Sequence, residues 1–108
     1  MSQSQAPLPA KLREMLSDYP EYLDHIQRLL NEVAAEPAYS PRFELANWAL
    51  EGCASRFLSE AKEELKVATK SGDPDQIAIA EQKELIMGKL VIQKPWLGER
   101  GFSDYFRK

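Results

Sequence analysis

The side chains with the greatest chemical reactivity in this sequence are one histidine and one cysteine. His25 follows Asp24, but a general base needs a nucleophile or substrate within hydrogen-bond reach, and the sequence supplies none. Cys53 could be a nucleophile beside a base, but it lies within an apolar helical pattern, where burial raises the pKa of a thiol and lowers its reactivity. We therefore predict that His25 is an exposed, singly paired histidine, that Cys53 is structural, and that the chain is not an enzyme.

A second group of side chains that could bind a metal or take part in catalysis is a cluster of five carboxylates: Glu60, Glu63, Glu64, Glu81 and Glu84. Helical bundles that bind two metal ions add Glu-x-x-His pairs, which are absent here, and one histidine with one cysteine is too few ligands for zinc. We predict a solvated acidic face and no metal, cofactor or catalytic residue. A metal-dependent enzyme that uses these carboxylates is the third hypothesis for function.

Residues 94–108 form a tail that is both aromatic and basic. The tail holds four of the ten aromatic residues, with four cationic and two anionic side chains. Its Gly98-Glu99-Arg100-Gly101 segment lacks the lysine and the strand–loop–helix context of a phosphate-binding loop. Aromatic rings beside arginine can stack on single-stranded bases or anchor a protein interface. The formal net charge of -3 and the pI near 5.2 argue against nucleic acid.

Two interpretations of the tail stay open, because it can pack on its own domain or on another chain. For the second case, we predict that the partner-binding residues are Trp48, Trp96, Arg100, Phe102, Tyr105 and Phe106. Aromatic residues and arginine are the types most enriched in the energetic centres of protein interfaces.

The elements that carry these residues are predicted to be helices. The central signal is Gly72-Asp73-Pro74, in which Gly72 can end one helix in the left-handed conformation and Asp73 can cap the next, with Pro74 in its first position. Gln76 would complete a capping box with Asp73. Apolar residues recur at helical spacing over about 41–70 and 74–93, so the sequence predicts a long antiparallel helical hairpin.

The predicted fold is an all-α arrangement of four helices. Two shorter helices, about 9–18 and 20–35, precede the hairpin, and the tail is expected to be irregular because of its glycines and Pro95. The predicted domain organisation is a disordered N-terminus over 1–7, a single helical domain over 8–93 and the tail over 94–108.

The hairpin register and the apolar pattern lead to two further predictions. Residues of the two helices pair when their numbers sum to about 144 or 145, which sets Phe57 against Met87 and Gly88. Gly88 is then expected to leave room for the Phe57 ring, and a similar explanation applies to Gly52. Residues 85–92 are apolar almost all round, which predicts burial on every side; a short strand is the alternative to a helix there.

Composition and length suggest where and how such a domain works. With 108 residues, 44% hydrophobic and 29% charged, the chain is expected to fold as one domain. A single cysteine, no signal-peptide pattern and no apolar run of membrane length predict a cytoplasmic protein that does not span a membrane.

The function predicted from the sequence is a non-enzymatic protein–protein interaction domain of regulatory or adaptor type. A chain of this size has difficulty covering both Trp48 and residues 85–92, so we expect self-association, with a homodimer as one form, or binding to another protein. The alternative is a nucleic-acid-associated protein that uses the basic aromatic tail.

Overall fold

The computed structural model describes residues 5–37 and 40–107, and this part of the chain is helical with no strand. Its five helices are α1 (Ala10–Met15), α2 (Pro20–Ala34), α3 (Arg42–Ser71), α4 (Pro74–Gln93) and α5 (Arg100–Arg107). The all-α fold is confirmed, and the predicted bounds of α4 coincide with the observed ones. Helix α1 ends earlier than predicted, at Met15, because Leu16 already leaves helical geometry (φ -105°, ψ 18°).

The predicted turn between α3 and α4 is confirmed, and the two helices form a hairpin. Gly72 has φ +73°, a conformation that glycine adopts without a Cβ clash, and Asp73 caps α4 by accepting a hydrogen bond from the Asp75 N–H at 3.0 Å. The predicted capping box is wrong in one detail. The Asp73 N–H donates to Ser71 Oγ at 3.2 Å, the Ser71 hydroxyl donates to the Ala68 carbonyl at 2.6 Å, and Gln76 Oε1 lies 3.4 Å from that hydroxyl.

The C-terminal tail differs from the prediction, since it contains helix α5 and is not irregular throughout. Gly98, with φ +86°, provides the left-handed residue of the turn that precedes the helix. Phe102 and Phe106 are four residues apart and therefore lie on one helix face, and both are buried. Burying two rings outweighs the roughly 1 kcal/mol that Gly101 costs within a helix.

The described residues fall into two compact units. The first consists of the chain up to Leu50 together with the residues from Pro95 onward, so that it contains α1, α2, the first part of α3, and α5. Its buried hydrophobic side chains come from each of these helices, from the turn after α1 and from the segment before α5; they include Leu12, Leu16, Ile26, Leu30, Ala46, Leu50, Trp96, Phe102 and Phe106.

The start of the chain is attached to this first unit. Ala6 is buried, its N–H donates to Asn31 Oδ1 at 2.9 Å, and its carbonyl accepts from Gln27 Nε2 at 2.7 Å. The Ala10 N–H donates to Glu99 Oε2 at 2.8 Å, which ties the start of α1 to the segment before α5. Of the N-terminal segment predicted to be disordered, Ala6 is therefore packed, and residues 1–4 lie outside the described part.

The second unit is the hairpin, Glu51–Lys94. Its buried side chains are mostly small, and they comprise Cys53, Ala54, Phe57, Ala61, Ala68, Ala80, Met87 and Leu90. Two ion pairs connect its helices, Lys94 Nζ to Glu51 Oε2 at 2.6 Å and Lys83 Nζ to Glu64 Oε2 at 2.8 Å. The numbers of these paired residues sum to 145 and 147, close to the predicted register.

Two glycines inside the hairpin helices do not have the role that the sequence suggested. A Cβ atom added at Gly88 would have no atom to contact within 4 Å, and the same holds at Gly52. Gly88 therefore makes no room for Phe57, and the predicted explanation is wrong at both positions. Neither glycine has a positive φ.

We expect Gly52→Ala and Gly88→Ala each to raise the free energy of unfolding of the monomeric chain, by up to about 1 kcal/mol. Alanine has the higher helix propensity, and the added methyl group meets open space at both sites. Urea denaturation followed by circular dichroism checks this. Gly72→Ala is the opposite control, because φ +73° is strained for alanine and should lower stability.

Candidate functional site

The residues predicted to bind a partner do not form one surface. Trp96, Phe102 and Phe106 are buried in the first unit, and Trp96 Nε1 donates a hydrogen bond to Asn47 Oδ1 at 2.8 Å. Phe102 contacts the Phe43 ring edge-on, with 6.2 Å between ring centroids. These three rings form the core that holds the tail in place.

The other three predicted residues are more accessible. Trp48 is 63% exposed on α3, and Arg100 is exposed at the first position of α5. Tyr105 is half-buried, and its ring packs edge-on against Phe106 at 5.0 Å between centroids. Of the predicted set, Trp48 and Arg100 are therefore available to a partner without any rearrangement of the core.

The tail also lacks the geometry of a surface that stacks nucleic-acid bases. Three of its four rings are buried, and the Arg107 guanidinium lies 4.2 Å from the centroid of the Phe43 ring. A base that stacked on these rings would have to displace packing within the first unit.

The cysteine is buried in the hairpin, as the sequence predicted. Burial raises the pKa of the Cys53 thiol, and the nearby positive charge of Arg56 lowers it only in part. The thiolate is the reactive form, so the Cys53 thiol is a weak nucleophile at neutral pH. His25 lies half-buried on α2, in the first unit, so the prediction that it is fully exposed is wrong.

The acidic cluster is distributed along both hairpin helices. Glu60 and Glu63 form exposed pairs with cations of their own helix, Arg56 at 3.7 Å and Lys66 at 3.9 Å, while Glu64 bonds Lys83 of α4. Within residues 5–37 and 40–107, no three His, Cys, Asp or Glu side chains converge to hold a metal ion.

An apolar groove lies between α3 and α4 near the turn of the hairpin. It has a volume of about 670 Å³, and its lining consists of Glu60, Glu63, Glu64, Val67, Ala68, Gln76, Ile79, Ala80 and Lys83. Val67 and Ile79 are 63% and 69% exposed, whereas Ala68 and Ala80 are buried. Neither Val67 nor Ile79 is among the residues that the sequence predicted to bind a partner. The hairpin register was the available signal, because it sets residue 67 close to residue 79.

A second unpartnered surface lies on α4, where the sequence predicted complete burial. Residues 85–92 are helical, but Leu85 is 54% exposed and Ile92 is 82% exposed, so that prediction is wrong for the chain by itself. Met87 and Leu90 take the buried positions of the same stretch. The α3–α4 contact covers one face of the helix, and a helix this apolar still has hydrophobic side chains on the opposite face.

No protein-family model, curated protein or solved structure matches the chain. In the described ranges, none of the helices combines the length and the apolar character needed to cross a membrane. Any binding function must therefore be inferred from the surfaces of the chain itself.

Proposed function

We propose that the chain is a non-enzymatic protein-interaction domain of regulatory or adaptor type that associates with a second copy of itself through α4. The observation that carries the proposal is the exposure of Leu85 and Ile92, at 54% and 82%. Fully burying such a side chain contributes about 1.5–3 kcal/mol, so covering both would supply a substantial driving force for association.

The spacing on this surface fits a second helix. Leu85, Gly88 and Ile92 are separated by three and four residues, the alternation of the seam in a two-stranded coiled coil. Gly88 has no other side chain near its Cα, so a partner helix can approach closely at the middle of the seam. We name Leu85, Gly88 and Ile92 the outer face of α4, in which Leu85 and Ile92 are exposed and Gly88 is half-buried.

Charges beside the outer face favour a second copy in parallel orientation. Glu84 and Lys89 flank the seam on opposite sides and are five residues apart. In a parallel pair, Glu84 of each helix would lie beside Lys89 of the other, which gives two symmetric ion pairs around a twofold axis. The charges that flank the outer face are therefore complementary to those of a parallel second copy.

We expect Ile92→Glu to weaken self-association at least tenfold, which corresponds to about 1.4 kcal/mol. The substitution places a charge within the proposed contact, while the exposed position leaves the helical content of the chain unchanged. Sedimentation velocity over a concentration series measures the effect. Ile79→Glu is the matched control, because Ile79 is exposed on the same helix but lies in the groove.

A charge exchange tests the orientation. Glu84→Lys alone and Lys89→Glu alone should each weaken the pair, and the double variant Glu84→Lys with Lys89→Glu should restore it, since the ion pairs re-form with opposite polarity. A chain that stays monomeric up to about 1 mM, where association is worth only about 4 kcal/mol, would refute the proposal.

A further inference from the structure

The groove near the hairpin turn is a second surface, independent of the outer face of α4, because the two share no residue. We infer that it binds an amphipathic basic helix of another protein, with an apolar anchor side chain in the groove and lysines or arginines against its acidic side. Dimerisation and this binding would then take place on different sides of α4.

The shape of the groove provides the apolar part of the argument. Its floor is formed by the small buried residues Ala68 and Ala80, and its sides by the exposed residues Val67 and Ile79. The groove is open to solvent along its length, and its volume of about 670 Å³ accommodates a leucine or phenylalanine side chain laid on it. A groove between two helices is the surface in which an amphipathic helix commonly lays its apolar face.

The charges on the groove select a basic partner. Its lining contains three carboxylates, Glu60, Glu63 and Glu64, and one ammonium group, Lys83. Lys83 bonds Glu64 at 2.8 Å, and its side chain is only 13% exposed, so its charge is largely matched within the chain. Glu60 and Glu63 make longer, exposed pairs with Arg56 and Lys66. Such pairs contribute little, and the cations of an incoming helix can compete for the same carboxylates.

The test uses a fluorescently labelled synthetic helix with leucines at i, i+4 and i+7 and lysines on either side of that stripe. Fluorescence anisotropy is compared with that of the same peptide carrying glutamates in place of the lysines. We expect saturable binding of the basic peptide, weakening with salt, and at least tenfold weaker binding of the acidic one. Equal affinity of the two peptides, or no saturable binding of either, overturns the inference.

Matched variants place the peptide on the groove. Ile79→Ala should weaken peptide binding at least tenfold, and Ile92→Ala should leave it unchanged, although both residues are exposed isoleucines of α4. Replacing Glu60 and Glu63 together by Gln should reduce the salt dependence of binding, whereas Glu81→Gln, outside the groove, should not. Equal losses for Ile79→Ala and Ile92→Ala would overturn the assignment of the peptide to the groove.

Sedimentation velocity separates this inference from the proposed function. If Ile79→Ala weakens self-association, then a second copy occupies the groove and the inference is wrong. If the chain pairs through α4 but does not bind the basic peptide, the inference fails and the proposed function stands. If the chain binds the basic peptide but remains monomeric, the inference about the groove stands and the proposed self-association fails.

Discussion

Trp96→Ala is expected to lower the free energy of unfolding by about 3–5 kcal/mol, the largest effect of any single substitution in the first unit. The side chain is 1% exposed, and its indole N–H donates to Asn47 Oδ1, so the variant loses apolar burial and leaves a polar group without its partner. Domains of this size are marginally stable, and this loss is a large fraction of the total. Urea denaturation followed by circular dichroism measures it.

Two control variants separate burial from mere aromatic content. Trp48→Ala should change stability by no more than about 0.5 kcal/mol, since Trp48 is 63% exposed. Trp96→Phe should keep most of the ring packing but lose the hydrogen bond to Asn47, giving an intermediate effect. Near-equal losses for Trp96→Ala and Trp48→Ala would show that the tail is not packed in the first unit.

This difference also determines how binding can be measured. Both Trp48 and Trp96 were predicted from the sequence to bind a partner, but Trp96→Ala is expected to destabilise the fold. A loss of partner binding in Trp96→Ala would therefore report on folding, whereas Trp48→Ala reports on the surface. We predict that any contribution of the predicted tail residues to binding comes from their exposed members, Arg100 above all.

The hairpin could be predicted from the sequence because its signals are local. Gly72, Asp73 and Pro74 specify the end of one helix and the start of the next within three residues, whatever surrounds them. The tail could not be predicted in the same way. Gly98 and Gly101 argue against a helix locally, and α5 forms because Phe102 and Phe106 pack in a core that includes residues distant in the sequence.

The candidate surfaces were only partly predictable for a related reason. The apolar composition of residues 85–92 indicated that something must cover them, but which residues face α3 depends on helix phase and on the register of the hairpin. The helix phase leaves the side chains of Leu85 and Ile92 exposed to solvent. Val67 and Ile79 form a groove only because the two helices meet near the turn. Composition predicts how much apolar surface a helix has, and packing determines where it is exposed.

Phe57→Ala is expected to cost about 3–5 kcal/mol, the largest effect in the hairpin. Phe57 is the bulkiest buried side chain of a core in which half of the side chains are alanines, so few neighbouring groups can collapse into the cavity left by the ring. Urea denaturation followed by circular dichroism again measures the change. Val67→Ala, at an exposed position of the same helix, should cost far less.

The same position tests the register on which the hairpin was predicted. The pairs Glu51–Lys94 and Glu64–Lys83 bracket Phe57 and place Met87 close to it along the hairpin. A double-mutant cycle with Phe57→Leu and Met87→Ala should therefore give a coupling energy of about 0.5–3 kcal/mol. Met87→Ala combined with Ala68→Gly, farther along the hairpin, should be additive. Additivity for Phe57 and Met87 as well would mean that the helices pair in a different register, because two buried side chains in contact cannot be truncated independently.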